Sequence, residues 1–319
     1  MSEQSQSGPS AETVEEILRG ELAHGDVMLA TAPPILRHML ANGDHALFSD
    51  EVIAKVRGSM MHLARQMLFA VAEKAGIADR GAFAAERQDA IAHAMLNDTD
   101  FLAYAHALTL EAQIAERLEV RSGIDPVLSP LLQELAASSE QHTAAAAMQA
   151  LAAQARFMQH TRRMELPLGE LPESLFDSAL RMLSEQASDM AHAAASAGQT
   201  MKEARSAGQP RVRKLEKLVS GMGSKAKRAL EIDNAGVSIF VTALAMASDQ
   251  PRETAILSLG ENQCARLALA LRAAGLGQGA VEEQFLYLHP DIALPEGFDK
   301  LRADRAAALL ANSANETAH

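Results

Sequence analysis

Aromatic residues are scarce in this chain, and cysteine nearly so. Only 3% of its 319 residues are aromatic: nine Phe, two Tyr and no Trp. Core volume must therefore come from Leu, Ala, Met, Ile and Val, with Met filling irregular gaps. The single Cys264 excludes an intramolecular disulfide and fits a reducing compartment, so a cytoplasmic location is expected. No uninterrupted apolar run reaches the roughly 18 residues of a membrane span. Alternating strand patterns are missing too. A Gly-Lys-Ser/Thr phosphate loop, a His-Glu-x-x-His cluster and a pair of carboxylates fixed in one cleft are not found. The chain is therefore expected to have no catalytic, cofactor-binding or metal-ligating set.

What is present is apolar and helical in period. Apolar residues make up 48% of the chain, too many for a disordered protein. Ser49 and Asp50 cap a predicted helix ending near Gly76. Its Val52, Val56, Met60, Leu63, Met67 and Val71 recur at three or four and share one face. Asn97-Asp98-Thr99-Asp100 starts another, running through Arg121. An Ala-rich helix follows from about Pro130 or Ser138 to Met164. Further helices are predicted at Ala11–His24, from Pro33, at Glu173–Ser206, Arg211–Gly221, Lys225–Glu231 and Val237–Ala247. The last ones fall near Pro251–Leu259, Asn262–Ala274, Gly279–Leu288 and Pro295–Ala311. Bulky pairs recur near helix starts (Leu47-Phe48, Phe101-Leu102, Leu175-Phe176, Ile239-Phe240, Phe285-Leu286), at spacings too uneven for a clean repeat.

The expected fold is all-α: irregular antiparallel hairpins, as a HEAT-like superhelix or a multi-helix bundle. Leu166-Pro167-Leu168-Gly169-Glu170-Leu171-Pro172 cannot sit in one straight helix. It is read as either a hinge or an ordered loop. The corresponding division is a tail over 1–10, lobes over 11–165 and 166–311, and a second tail over 312–319.

The region Leu230–Leu288 carries Ile239-Phe240, Ala243-Leu244-Ala245, Leu267-Ala268 and Leu271-Arg272-Ala273-Ala274-Gly275-Leu276. This pattern resembles an uncharacterised bacterial family, a domain of unknown function built of degenerate HEAT-like helical hairpins. The resemblance implies an α-α superhelix or irregular bundle with an interaction role. It brings no catalytic residues.

The net charge is −12, yet one stretch is basic. Lys202, Arg205, Arg211, Arg213, Lys214, Lys217, Lys225, Lys227 and Arg228 are opposed only by Glu203 and Glu216. Val212, Leu215, Leu218 and Met222 set an apolar stripe beside them. Such a stretch suits an acidic protein partner, nucleic-acid phosphates or the acidic half of its own fold. No aromatic residue is interleaved for base stacking. Within it, Ser220–Lys225 reads as a helix break with Ser224 as N-cap. His62 reads as a surface histidine, and Cys264 as a small core residue. Asp89 with His93, and Asp189 with His192, read as surface or capping pairs, and Glu15-Glu16 and Glu282-Glu283 as solvated faces. The expected role is a non-enzymatic scaffold or regulatory interaction protein. The alternatives are a nucleic-acid binder using 202–228, and a helical small-molecule sensor or enzyme with a pocket near Met60, Met67 and Phe101.

Overall fold

The computed structural model describes residues 11–42 and 49–317. Within them the protein is all-α, with fourteen α-helices and no strand. They are α1 (Ala11–Asn42), α2 (Asp50–Lys74), α3 (Arg80–Leu96), α4 (Thr99–Ser122), α5 (Pro130–Ala136), α6 (Gln141–Arg162) and α7 (Glu173–Gln186). The remainder are α8 (Ala191–Ala207), α9 (Arg211–Gly221), α10 (Ile232–Ser248), α11 (Arg252–Leu257), α12 (Cys264–Ala273), α13 (Gln278–Leu288) and α14 (Ala303–Thr317). The expected tail over 1–10, Ser10 and the pair Leu47-Phe48 lie outside the described residues.

Two compact units divide the backbone, and neither is continuous in sequence. One comprises Pro33–Gln113 and Leu135–Leu218 and is called the cavity unit. The other, the terminal unit, takes the chain before Pro33, Ile114–Glu134, and Val219 onward. The boundary expected at 165/166 therefore falls inside the cavity unit. Leu166, Leu168 and Leu171 are buried in the same core as α2, so the Pro-rich segment is an ordered loop.

In the cavity unit, α2 packs against α3 and α8, and α7 against α3 and α8. Ser49 accepts the Val52 N–H at the start of α2, and acidic Asp50 and Glu51 occupy its first turn where the dipole favours them. Its predicted apolar stripe, Val52 to Val71, is buried throughout. Each such side chain contributes about 1.5–3 kcal/mol on leaving water. Asp98 caps α4 through the Asp100 and Phe101 N–H groups. Gly58 on α2 is a required close approach, since a Cβ there would lie 2.6 Å from Met164 Cβ.

In the terminal unit, α10 is buried along nearly its whole length and packs against α11, α12 and α13. Gly236 (φ 68°) kinks it, beginning the straight run at Val237 as the sequence predicts. No single helix among the described residues is long and apolar enough to cross a membrane. One bent pair, Gly223–Leu230 with Ile232–Ser248, has the length and composition but turns through 107°.

Several expected boundaries move. α1 runs through Pro33 and Pro34, because two missing N–H groups interrupt the ladder without ending it while Leu36, Met39 and Leu40 go on burying themselves. The expected Glu173–Ser206 helix is two helices, broken by a 3-10 turn at Ser188–Met190. The Ala-rich helix is likewise divided into α5 and α6, and α3 has no counterpart among the predicted helices. Gly223–Leu230 is 3-10, with no side-chain cap from Ser224. The helix expected to end at Ala311 continues to Thr317, so helix covers most of the second expected tail.

Candidate ligand-binding site

The cavity unit holds a partly open chamber of about 240 Å³. Its walls come from α2, α4, α6, the loop that follows α6, and the first turn of α9.

The loop wall is pinned from both sides. Gln66 on α2 donates through Nε2 to the Leu166 carbonyl at 2.8 Å and accepts the Leu168 N–H at 3.1 Å. His62 Nδ1 lies 2.9 Å from the same carbonyl, so His62 is a half-buried loop clamp and not a surface histidine. Tyr104 on α4 donates its hydroxyl to the Glu170 carbonyl at 2.8 Å. These bonds satisfy backbone groups that a loop inside a core would otherwise leave unpaired.

Arg211 lies at one side of the chamber. Its guanidinium grips Glu111 by two parallel bonds of 2.7 and 2.8 Å, bonds Gln154 at 2.9 Å and stacks 3.7 Å from the Phe157 ring centre. Arg211 is 3% exposed and Glu111 wholly buried, so each charge depends on the other. The Arg211 backbone N–H donates to the Glu170 carboxylate at 2.6 Å, capping α9. Lys55, buried within the apolar face of α2, pairs with Glu51 at 2.6 Å. That bond to Lys55, with a second from Gln113, holds the Glu51 carboxyl below its usual range. His160 and Glu165 face one another at 2.8 Å, and the imidazole bond is the main reason the Glu165 carboxyl sits low.

Arg211, Lys55 and His160 are held by carboxylates, and neither Ser59 nor Thr161 hydrogen-bonds the imidazole. Among the described residues no hydrogen-bonded relay joins this imidazole to a hydroxyl nucleophile. Leu108, Phe157, Pro167 and Val212 supply apolar surface between the fixed polar groups.

The nine basic residues singled out by sequence divide between the two units. Six, Lys202 to Lys217, belong to the cavity unit; Lys225, Lys227 and Arg228 belong to the terminal unit. Arg211 is corrected outright: it is buried against Glu111 and unavailable to a partner. Arg205 lies 4.7 Å from the Phe176 ring centre, Arg213 pairs with Glu216 at 2.9 Å, and Arg228 pairs with Glu134 through two bonds of 2.8 and 2.7 Å. Lys214 is half-buried, and Lys202, Lys217, Lys225 and Lys227 are exposed. Met60, Met67 and Phe101 are completely buried core residues, so the pocket expected beside them lies elsewhere. Cys264 is half-exposed at the start of α12, and burial is the main reason its thiol is pushed up, away from the reactive thiolate. Asp189 pairs with Arg87 across two bonds of 3.0 and 2.9 Å. Among the described residues no cluster of His, Cys, Asp and Glu can hold a metal ion.

Sequence reasoning passed over Lys55, Tyr104, Arg156, His160, Glu165 and Glu170. Lys55 carried a signal, as a cation among the apolar residues of α2. Glu111 and Gln154, behind the wall, carried a similar one as polar residues set among alanines. No family model, no curated protein and no solved structure matches the chain.

Proposed function

We propose that this chain is a helical ligand-binding protein whose cavity unit takes a small organic molecule into the chamber. One observation carries the reading: a partly open space of about 240 Å³ in which apolar walls alternate with polar groups already fixed in place. Small-molecule sites have this composition, a mostly apolar lining with a few oriented polar groups. Held polar groups lose little freedom when a ligand arrives, which favours affinity. The role is regulatory binding rather than turnover. Screening small organic acids, alcohols and amines by thermal shift tests it. A ligand at about a hundred times its Kd adds about 2.7 kcal/mol of stability. Filling the chamber with Leu108→Trp is expected to abolish that shift. The reading fails if no compound raises Tm, or if Leu108→Trp responds as the unaltered chain does.

A second reading, an interaction scaffold, is supported by the exposed Lys202, Arg213 and Lys217 of the cavity unit. Charge reversal at Arg213 and Lys217 is expected to weaken capture of an acidic protein while ligand shifts persist. Unchanged capture removes this reading, and tight binding of DNA or RNA with steep salt dependence replaces it.

A further inference from the structure

A second, more open cavity of about 490 Å³ adjoins the chamber, sharing Arg156, Pro167 and Glu170 with it. Its charged lining is lopsided. Arg156, Arg205 and Lys214 face into it, against the single acid Glu170. Glu170 is already engaged, because one of its oxygens takes the Arg211 N–H at 2.6 Å. The first N–H of α9 is therefore occupied. Arg156 and Lys214 make no ion pair among the described residues. Arg205 lies over the Phe176 ring, and its Nη1 is buried with no hydrogen-bond partner. A buried guanidinium donor without an acceptor is a place where a ligand oxygen would gain a charge-assisted bond.

We propose that the ligand is an amphipathic organic anion, its apolar body in the chamber and its carboxylate or phosphate head among Arg156, Arg205 and Lys214. The inference rests on the ligand-binding reading above. It follows from two adjoining spaces, both lined largely by apolar surface: in one, Leu108, Phe157, Pro167 and Val212 lie between charges already paired, and the other adds Arg156, Arg205 and Lys214 against a single acid. A neutral molecule of the same shape would leave the groove's charge unanswered. A small inorganic anion would leave the chamber unfilled.

Isothermal titration of the full chain with octanoate, octyl phosphate, 1-octanol and inorganic phosphate tests it. An anionic octyl compound is expected to bind at least about tenfold more tightly than 1-octanol, with affinity falling as salt rises. Octanoate and octyl phosphate distinguish the two heads. Arg156→Gln, on an exposed residue that leaves the fold intact, should remove most of that preference, and Arg205→Gln most of the rest. Binding of 1-octanol should be lost in Leu108→Trp. Equal binding of 1-octanol and the anions, abolished by Leu108→Trp, overturns the anionic head while the ligand-binding reading stands. Inorganic phosphate binding as tightly as the octyl anions overturns the amphipathic ligand. Retention of the anion preference in Arg156→Gln and Arg205→Gln overturns the proposed head site. Failure of all four probes, together with a negative screen, overturns both readings.

Discussion

Each of the two units buries an arginine, and the two are used differently. In the cavity unit Arg211 of α9 joins Glu111 of α4 and Gln154 of α6, roofed by Phe157. In the terminal unit Arg266 of α12 meets Asp26 of α1, Ser313 of α14 and, at 3.2 Å, Gln250. Arg266 keeps its Nε buried without a partner and borders a wide, open cavity of about 830 Å³. Arg211 borders the smaller and less open one. A buried ion pair is costly to form and is held by its geometry and by the bonds around it. Beside the less open cavity, Glu111 and Gln154 fix the orientation of the Arg211 guanidinium. Beside the wider cavity, Arg266 ties α12 to α1 and α14.

The sharpest way to break this comparison is to remove one acid from each unit. Glu111→Ala strands a buried guanidinium and is expected to cost about 3–5 kcal/mol in denaturant unfolding. Asp26→Ala should cost less, because Arg266 keeps Ser313 and Gln250 and Asp26 itself reaches some solvent. A larger loss from Asp26→Ala would reverse the roles assigned to the two pairs.

Next in size are two glycines. Gly58→Ala drives a Cβ to 2.6 Å from Met164 and should cost about 1–3 kcal/mol as overpacking. Because Met164 precedes Glu165 at the chamber wall, the same change should weaken ligand binding. Gly236→Ala places a side chain at φ 68° and 3.1 Å from Ser129 Cβ, at a cost of about 1–2 kcal/mol. It should leave ligand binding untouched. Thermal shift with and without ligand separates the two, and equal loss of binding in both would break the division.

The smallest effect is in pH. Burial lowers the pKa of His106 in the cavity unit below its ordinary 6.5. It does the same for His289 in the terminal unit, with the positive Arg117 nearby adding to it. The unfolded chain takes up these protons near 6.5 and the folded chain only at lower pH. Between the two values the unfolded state holds more protons, so stability falls as pH falls. His106→Gln and His289→Gln should each flatten the decline below about pH 6.5. A slope unchanged by both substitutions would remove these two groups as its source.

Much of the secondary structure was legible because its signals are local. Ser49 and the 3–4 spacing of α2, the Asp98 cap of α4, and both ends of α9 depend on residues within a few positions of one another. Pro33 and Pro34 misled for the same reason: local chemistry predicts a helix start, and burial on both sides carries α1 through them. The site was illegible. Arg211 lies 100 residues from Glu111 and 57 from Gln154, and no periodicity registers a pairing at that range. In sequence Arg211 is one of nine similar cations; in the structure it is the one most fully buried, while Arg205 and Lys214 of the same stretch line the adjoining groove.

By itself the sequence determined an all-α protein. Ala- and Leu-rich segments with 3.6-residue periodicity and few β-branched runs bury their faces only as packed helices. Tertiary structure alone decided how the basic stretch divides and that a chamber forms beside Arg211. Charge counts along the chain, whereas burial and pairing depend on which distant carboxylates the packed helices bring within reach of each cation.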